Sequence, residues 1–240
     1  MRILPKPHMA QLLISVQNVH EAAIALECGV DIIDLKDPNT GALGALTLSE
    51  IESIIHFIGS RKQTSATIGD IPMVPHLIKE RVVQLQKFPL NFIKIGFFDA
   101  ADYQACLDEL QKFTSSRQQL IAVLFAELQY PEDLLKKIKQ AGFSGVMLDT
   151  MHKNGKTYLA YYSVTAFENF VNNVLANDLL FGLAGSLQLS HVNAVKKVNL
   201  HFMGFRGGVC IKNQRQSKLD CQKIYNIKYA LQEELQALNS

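Results

Sequence analysis

The chain has 240 residues, 48% of them hydrophobic and 19% charged, with 24 Lys+Arg against 22 Asp+Glu. A formal charge of +2 and an isoelectric point near 8.3 give no general electrostatic grip on nucleic acid, and an apolar chain with 7 scattered Pro and 14 scattered Gly is not a disordered one. No composition break or long polar linker divides it, so a single folded domain over 1–240 is expected.

Short apolar runs alternate with longer amphipathic stretches along the whole sequence. A run over 12–16 precedes a helical pattern over 19–28, and 31–36 precedes 48–58. The next pairs are 64–68 with 77–87, 92–97 with 101–113, and 120–126 with 131–141. Three more follow: 145–150 with 164–176, 180–184 with 189–198, and 201–206 with 219–238. Continuous apolar strands alternating with helices predict a parallel sheet buried on both faces, because each parallel connection needs a crossover long enough to hold a helix. Eight βα units in this length predict an α/β fold closed as a single (β/α)8 TIM barrel.

The longest apolar stretches, such as 120–126, fall well short of a membrane span. At the amino terminus Arg2 is followed only by Ile3 and Leu4 before Pro5, Lys6, Pro7 and His8 interrupt, so no hydrophobic signal core is expected and the protein reads as cytoplasmic. Cys28, Cys106, Cys210 and Cys221 lie far apart without a C-x-x-C pair, which predicts buried free thiols rather than a zinc knuckle or a disulfide framework. The seven His show no zinc-ligand spacing, and no metal is expected.

In such a barrel, ligands meet the carboxyl ends of the strands. The second strand reads Asp31-Ile32-Ile33-Asp34-Leu35-Lys36, and its alternation puts Asp34 and Lys36 on one face with Ile33 and Leu35 on the other. The fourth strand places Lys94 between Ile93 and Ile95, where an amine is costly to bury without a partner or a task. The sixth ends on Asp149, with Lys153 in the following loop. All three strands are even-numbered, and alternate strands share interior layers, so Lys36, Lys94 and Asp149 are expected to converge. An internal salt-bridge network is the structural reading of the set. The chemical one is carbonyl activation: an unprotonated lysine forms an iminium ion with an aldehyde or ketone, while a second lysine lowers its proton affinity or moves protons. Residue types alone do not say which lysine is which.

A phosphate site is expected where the seventh strand runs into Gly182-Leu183-Ala184-Gly185-Ser186 and the eighth into Phe205-Arg206-Gly207-Gly208. Glycines there would let backbone amides of Gly185, Ser186, Gly207 and Gly208 approach phosphate oxygens, with Arg206 as a charged partner or a structural salt bridge. Asp70, after the third strand, reads equally as a substrate contact or a cap. The turn-rich loop over 37–45 would shape or cover the site. The basic run over 212–218 reads as a solvated loop or a second phosphate contact, without the interleaved aromatics of a nucleic-acid surface. Magnesium between Asp34 and Asp149 would face competition from the neighbouring lysines.

Taken together and in order, several fragments resemble the (5-formylfuran-3-yl)methyl phosphate synthase family, also called 4-(hydroxymethyl)-2-furancarboxaldehyde-phosphate synthase. They are D-I-I-D-L-K-D-P and G-A-L-G-A within 31–45, S-A-T-I-G-D over 65–70, F-I-K-I-G over 92–96, L-D-T over 148–150, G-L-A-G-S over 182–186 and R-G-G-V-C over 206–210. The resemblance spans almost the whole chain. It implies condensation of two molecules of glyceraldehyde 3-phosphate into a phosphorylated furan aldehyde, with loss of one phosphate and water, for methanofuran or a related one-carbon carrier. It further implies Lys36 as the Schiff-base lysine and Lys94 as proton acceptor, assisted by Asp34, Asp149 and Lys153, with no cofactor. Some members carry a further lysine just after strand five, where this chain reads Glu127-Leu128-Gln129. That difference bears on how the second substrate or its phosphate is held.

Two other functions fit the same residues. One is a different lysine-dependent aldolase acting on a phosphorylated aldehyde, and the other is a noncatalytic barrel that binds a phosphorylated metabolite. In each case the partner is a small phosphorylated aldehyde or metabolite, with neither nucleic acid nor membrane, and the chain could form a homo-oligomer through its outer helices.

Overall fold

A computed structural model describes residues 10–114, 117–195 and 198–238. The amino-terminal segment over 2–8 and positions 196–197 of the seventh predicted helix lie outside these residues. Eight strands, β1 Gln11–Val16, β2 Ile32–Leu35, β3 Gln63–Thr67, β4 Phe92–Gly96, β5 Gln119–Phe125, β6 Gly145–Asp149, β7 Leu180–Leu183 and β8 Phe202–Phe205, pair in parallel in sequence order. β8 pairs back to β1, which closes the barrel.

The crossovers are α1 Val19–Glu27, α2 Leu48–Ile58, α3 Pro75–Leu85, α4 Gln104–Gln111, α5 Leu134–Gln140, α6 Val164–Ala176, α7 Leu189–Ala194 and α8 Cys221–Leu238. Local chemistry sets their starts. Asn18 accepts the Glu21 amide at α1, Thr47 and Glu50 form a capping box at α2, and Ser163 caps α6. α3 begins earlier than the apolar pattern predicts, because Pro75 is preorganised for the first turn. α4 begins later, with the Asp102 carboxylate accepting the Gln104 amide ahead of it.

Two cores result from strand alternation. Ile33, Leu35, Ile93, Ile95, Val146 and Leu148 point outward into the layer between sheet and helices. Leu13, Ile32, Ile121, Val123, Met147 and Phe202 belong to a second apolar cluster, on the barrel interior. The inward positions nearer the carboxyl ends are polar: Ser15, Asp34, Lys36, Ser65, Thr67, Lys94 and Asp149, all buried. The apolar plug gives the polar layer a floor, and the site opens toward the carboxyl ends of the strands.

The cysteine expectation needs correction. Cys28 follows α1, Cys221 opens α8, and the two form a disulfide, with Cα atoms 6.1 Å apart across a separation of 193 residues. Closing β8 onto β1 brings these helices together, and Lys228 donates to the Gly29 carbonyl at 2.8 Å in the same seam. Cys106 and Cys210 are buried free thiols, and burial pushes both up to about 11. Neither is a ready nucleophile at neutral pH. No helix among the described residues is long and apolar enough to cross a membrane.

Candidate active site

Register assembles the polar layer. β1 aligns Ser15 with Asp34, and β2 aligns Asp34 with Ser65. Both hydroxyls therefore reach the carboxylate: Ser15 Oγ donates to Oδ2 at 2.9 Å and Ser65 Oγ to Oδ1 at 2.6 Å. Lys94, aligned with Thr67 one strand further on, places Nζ 2.7 Å from Asp34 Oδ1. The carboxylate is 1% exposed, so an acid this buried has a cation and two hydroxyls in place of water.

Lys36 has a looser setting. Its Nζ lies 3.7 Å from Asp149 Oδ2, beyond hydrogen-bond length. Oδ1 of the same acid accepts from Lys153 Nζ at 2.8 Å and from the Thr150 amide at 2.7 Å. Burial lowers the Lys36 amine to about 7, with Lys153 and Lys94 pushing the same way and Asp149 and Asp34 opposing. Burial alone would raise Asp149, but Lys153 and Lys36 outweigh it and hold the carboxyl well below its usual range. The result is a buried amine near its titration point beside a firmly ionised acid, a combination suited to nucleophilic attack on a carbonyl.

A cavity of about 760 Å³ opens above these groups and is lined by Lys36, Lys94, Asp149, Ser186, Gly208 and Arg215, among others. On its far side the turns after β7 and β8 pack backbone against backbone. A Cβ at Gly208 would lie 2.1 Å from the Leu187 carbonyl oxygen, and one at Gly185, where φ is +95°, would lie 2.7 Å from the Thr150 amide. Ser186 follows with φ 54°. Among the described residues, the amides of Gly185, Ser186, Gly207 and Gly208 donate to no backbone carbonyl. Such a surface suits an anion.

The expected site residues do not all behave alike. Lys36, Lys94, Asp34, Asp149 and Lys153 come together, as do the two glycine turns. Arg206, expected at the phosphate, lines the cavity but spends its donors on the protein. Its guanidinium forms a bidentate pair with Glu21, which is 3% exposed, and donates to the carbonyls of Ser15, Arg215 and Ser217 at 3.1, 2.7 and 3.3 Å. All five N–H donors are committed within the protein, leaving none for a ligand. Asp70 takes the capping alternative: its two oxygens accept the amides of Ala42 and Leu43, each at 2.6 Å, and hold the loop after β2 over the mouth.

Other contributors escaped the sequence reading. Ser15 could have been found by parity, since it shares a face with Leu13. Glu127 accepts the amides of Met151 and His152, both at 2.9 Å, and so shapes the loop that carries Lys153. No local signal marked that role. Among the described residues no cluster of three or more His, Cys, Asp or Glu is arranged to hold a metal ion.

Comparison with known proteins places the fold and the family. The fold is shared with phosphoribosyl anthranilate isomerase of Thermus thermophilus, at a TM-score of 0.65 and 14% identity over 95% of this chain and 99% of that one. A Methylorubrum extorquens protein provisionally named as a (5-formylfuran-3-yl)methyl phosphate synthase is 36% identical over 214 residues, 89% of this chain and 88% of its own. The (5-formylfuran-3-yl)methyl phosphate synthase of Methanococcus maripaludis strain C5 is 29% identical over 215 residues, 85% of this chain and 91% of its own. The sequence profile of the family described as 4-HFC-P synthase matches residues 12–228. The chain therefore belongs to the 4-HFC-P synthase family of enzymes.

Proposed function

We propose that this enzyme condenses two molecules of glyceraldehyde 3-phosphate into (5-formylfuran-3-yl)methyl phosphate, with loss of one phosphate and two waters, through an imine on Lys36. The observation that carries the reading is the Lys36 amine, buried above an apolar floor and held near 7 beside Asp149. At neutral pH a large fraction of it is unprotonated and able to attack a carbonyl. Lys153, hydrogen-bonded to Asp149, is the proton source for expelling water from the carbinolamine. The resulting iminium acidifies the adjacent carbon. The Lys94–Asp34 pair accepts the proton from that carbon, and returns it to the alkoxide formed when the resulting enamine attacks the second aldehyde.

The glycine turns after β7 and β8 hold a substrate phosphate through their backbone amides. Membership of the synthase family favours a furan product over the simple aldol product of another lysine-dependent enzyme. The furan would serve methanofuran or a related one-carbon carrier. A soluble phosphorylated substrate places the reaction in the cytoplasm.

Borohydride trapping with glyceraldehyde 3-phosphate tests the mechanism, followed by peptide mass spectrometry and an ultraviolet scan of the untrapped reaction. The expected result is a reduced adduct on Lys36 together with a furan aldehyde. An adduct without furan would assign the protein to another aldolase reaction. Ligand binding without adduct or furan would make it a binding protein.

A further inference from the structure

The reaction proposed above brings two phosphate monoesters to one cavity, and the β7 and β8 turns offer a cradle for one. We propose that Arg215 forms a second phosphate subsite at the β2 side of the mouth, an inference that rests on that reading for its substrate but not for its anion chemistry. Arg215 belongs to the basic run over 212–218. Within it, Lys212 and Lys218 are exposed, whereas Arg215 is half-buried and lines the cavity. The Arg215 backbone lies beside Gly207, and its side chain reaches to the loop after β2, where Nη1 donates to the Gly41 carbonyl at 3.2 Å. The guanidinium thus leaves the glycine turns and crosses to the loop that follows Lys36.

Its hydrogen-bonding state differs from that of Arg206, which directly follows β8. Arg206 has all five donors committed, while Arg215 makes one side-chain hydrogen bond and no ion pair among the described residues. The acids whose charges act on Arg215 already have other donors. Asp149 holds Lys153, Asp70 caps the amides of Ala42 and Leu43, and Asp37 accepts from the Asn39 amide and the Thr40 hydroxyl. A half-buried guanidinium with open N–H groups suits a phosphate, whose oxygens accept two parallel bonds from the fork. Burial alone disfavours the charge, and an anionic ligand would offset that cost.

Titration calorimetry with inorganic phosphate tests the subsite directly. The parent protein should take up two equivalents per chain and Arg215→Gln one, with Arg215→Lys retaining the second at about tenfold weaker affinity. In turnover, Arg215→Gln should raise the KM for glyceraldehyde 3-phosphate about tenfold or more, while the Lys36 adduct still forms at saturating substrate. One equivalent in the parent, or two in Arg215→Gln at unchanged affinity, would overturn the subsite. If Arg215→Gln does not fold, Arg215→Lys carries the test, and an unchanged affinity for the second phosphate in that variant would overturn the subsite. A failure to trap Lys36 would instead remove the proposed synthase mechanism, and a second phosphate lost with Arg215 would still establish the subsite.

Discussion

The two lysine–aspartate pairs at the barrel mouth use the same residue types and are built for different ends. In the β2–β4 pair, Lys94 meets Asp34 at 2.7 Å, and two serine hydroxyls saturate the carboxylate. In the β2–β6 pair, Lys36 stands 3.7 Å from Asp149, and the acid's close partner is Lys153. A tight, saturated pair resists change, because removing either charge leaves the other buried alone. The loose pair leaves its amine exposed to two neighbouring cations and to desolvation, which together favour the neutral form. An ångström of separation and a second cation thus divide a tightly held ion pair from a candidate nucleophile.

The largest expected effect breaks the loose pair chemically. Lys36→Met should abolish the borohydride adduct and lower turnover by about ten-thousand-fold, roughly 5 kcal/mol in barrel-mouth chemistry. Asp149 would keep Lys153, so thermal denaturation at pH 6 should show stability unchanged or raised by about 1 kcal/mol. Retained adduct in this variant would move the imine to another lysine.

Breaking the tight pair should act on the fold itself. Lys94→Met strands the Asp34 carboxylate and should cost about 3–5 kcal/mol of stability in urea denaturation. A cost equal to that of Lys36→Met would erase the distinction drawn between the pairs.

A pH profile sharpens the comparison with no mutation. The trapping rate should follow unprotonated Lys36, rising through about pH 7 and lying about tenfold below its plateau at pH 6. The stability sign follows from the same group. Between about 7, its folded value, and 10.5, its ordinary one, the unfolded chain binds more protons, so the Lys36 contribution to stability improves as pH rises across that window and is lost as pH falls toward 7. A trapping rate still climbing only above pH 9 would mean that Lys36 keeps an ordinary amine.

The smallest effect concerns the hydroxyls. Ser65→Ala removes the 2.6 Å bond to Asp34 and should cost about 1 kcal/mol, with Lys36 trapping unchanged. A shift in the trapping profile would instead couple the two pairs more closely than their separate partners imply.

Much of this site could be read before any coordinates. Ile33 and Leu35 flanking Asp34, and Ile93 and Ile95 flanking Lys94, mark inward polar positions by alternation alone, and the glycines after β7 and β8 mark close backbone approach. Ser15 obeys the same alternation but carries too small and common a side chain to stand out. Arg206 and Arg215 illustrate the limit of local reading. Both are arginines near a glycine turn, yet one is consumed by Glu21 on α1 and the other reaches Gly41. Cys28 and Cys221 likewise give no local sign of pairing, since their proximity exists only once the barrel closes.

Strand periodicity acts over two residues and crossover length over about a dozen, so the eight βα units and the inward parity of Asp34, Lys36, Lys94 and Asp149 were already present in the order of residues. Which amine loses its proton, which arginine keeps open donors and which cysteines meet were decided by folding. Coulomb attraction, desolvation and hydrogen bonding depend on distances of a few ångströms between distant parts of the chain, and those distances do not exist until β8 has joined β1.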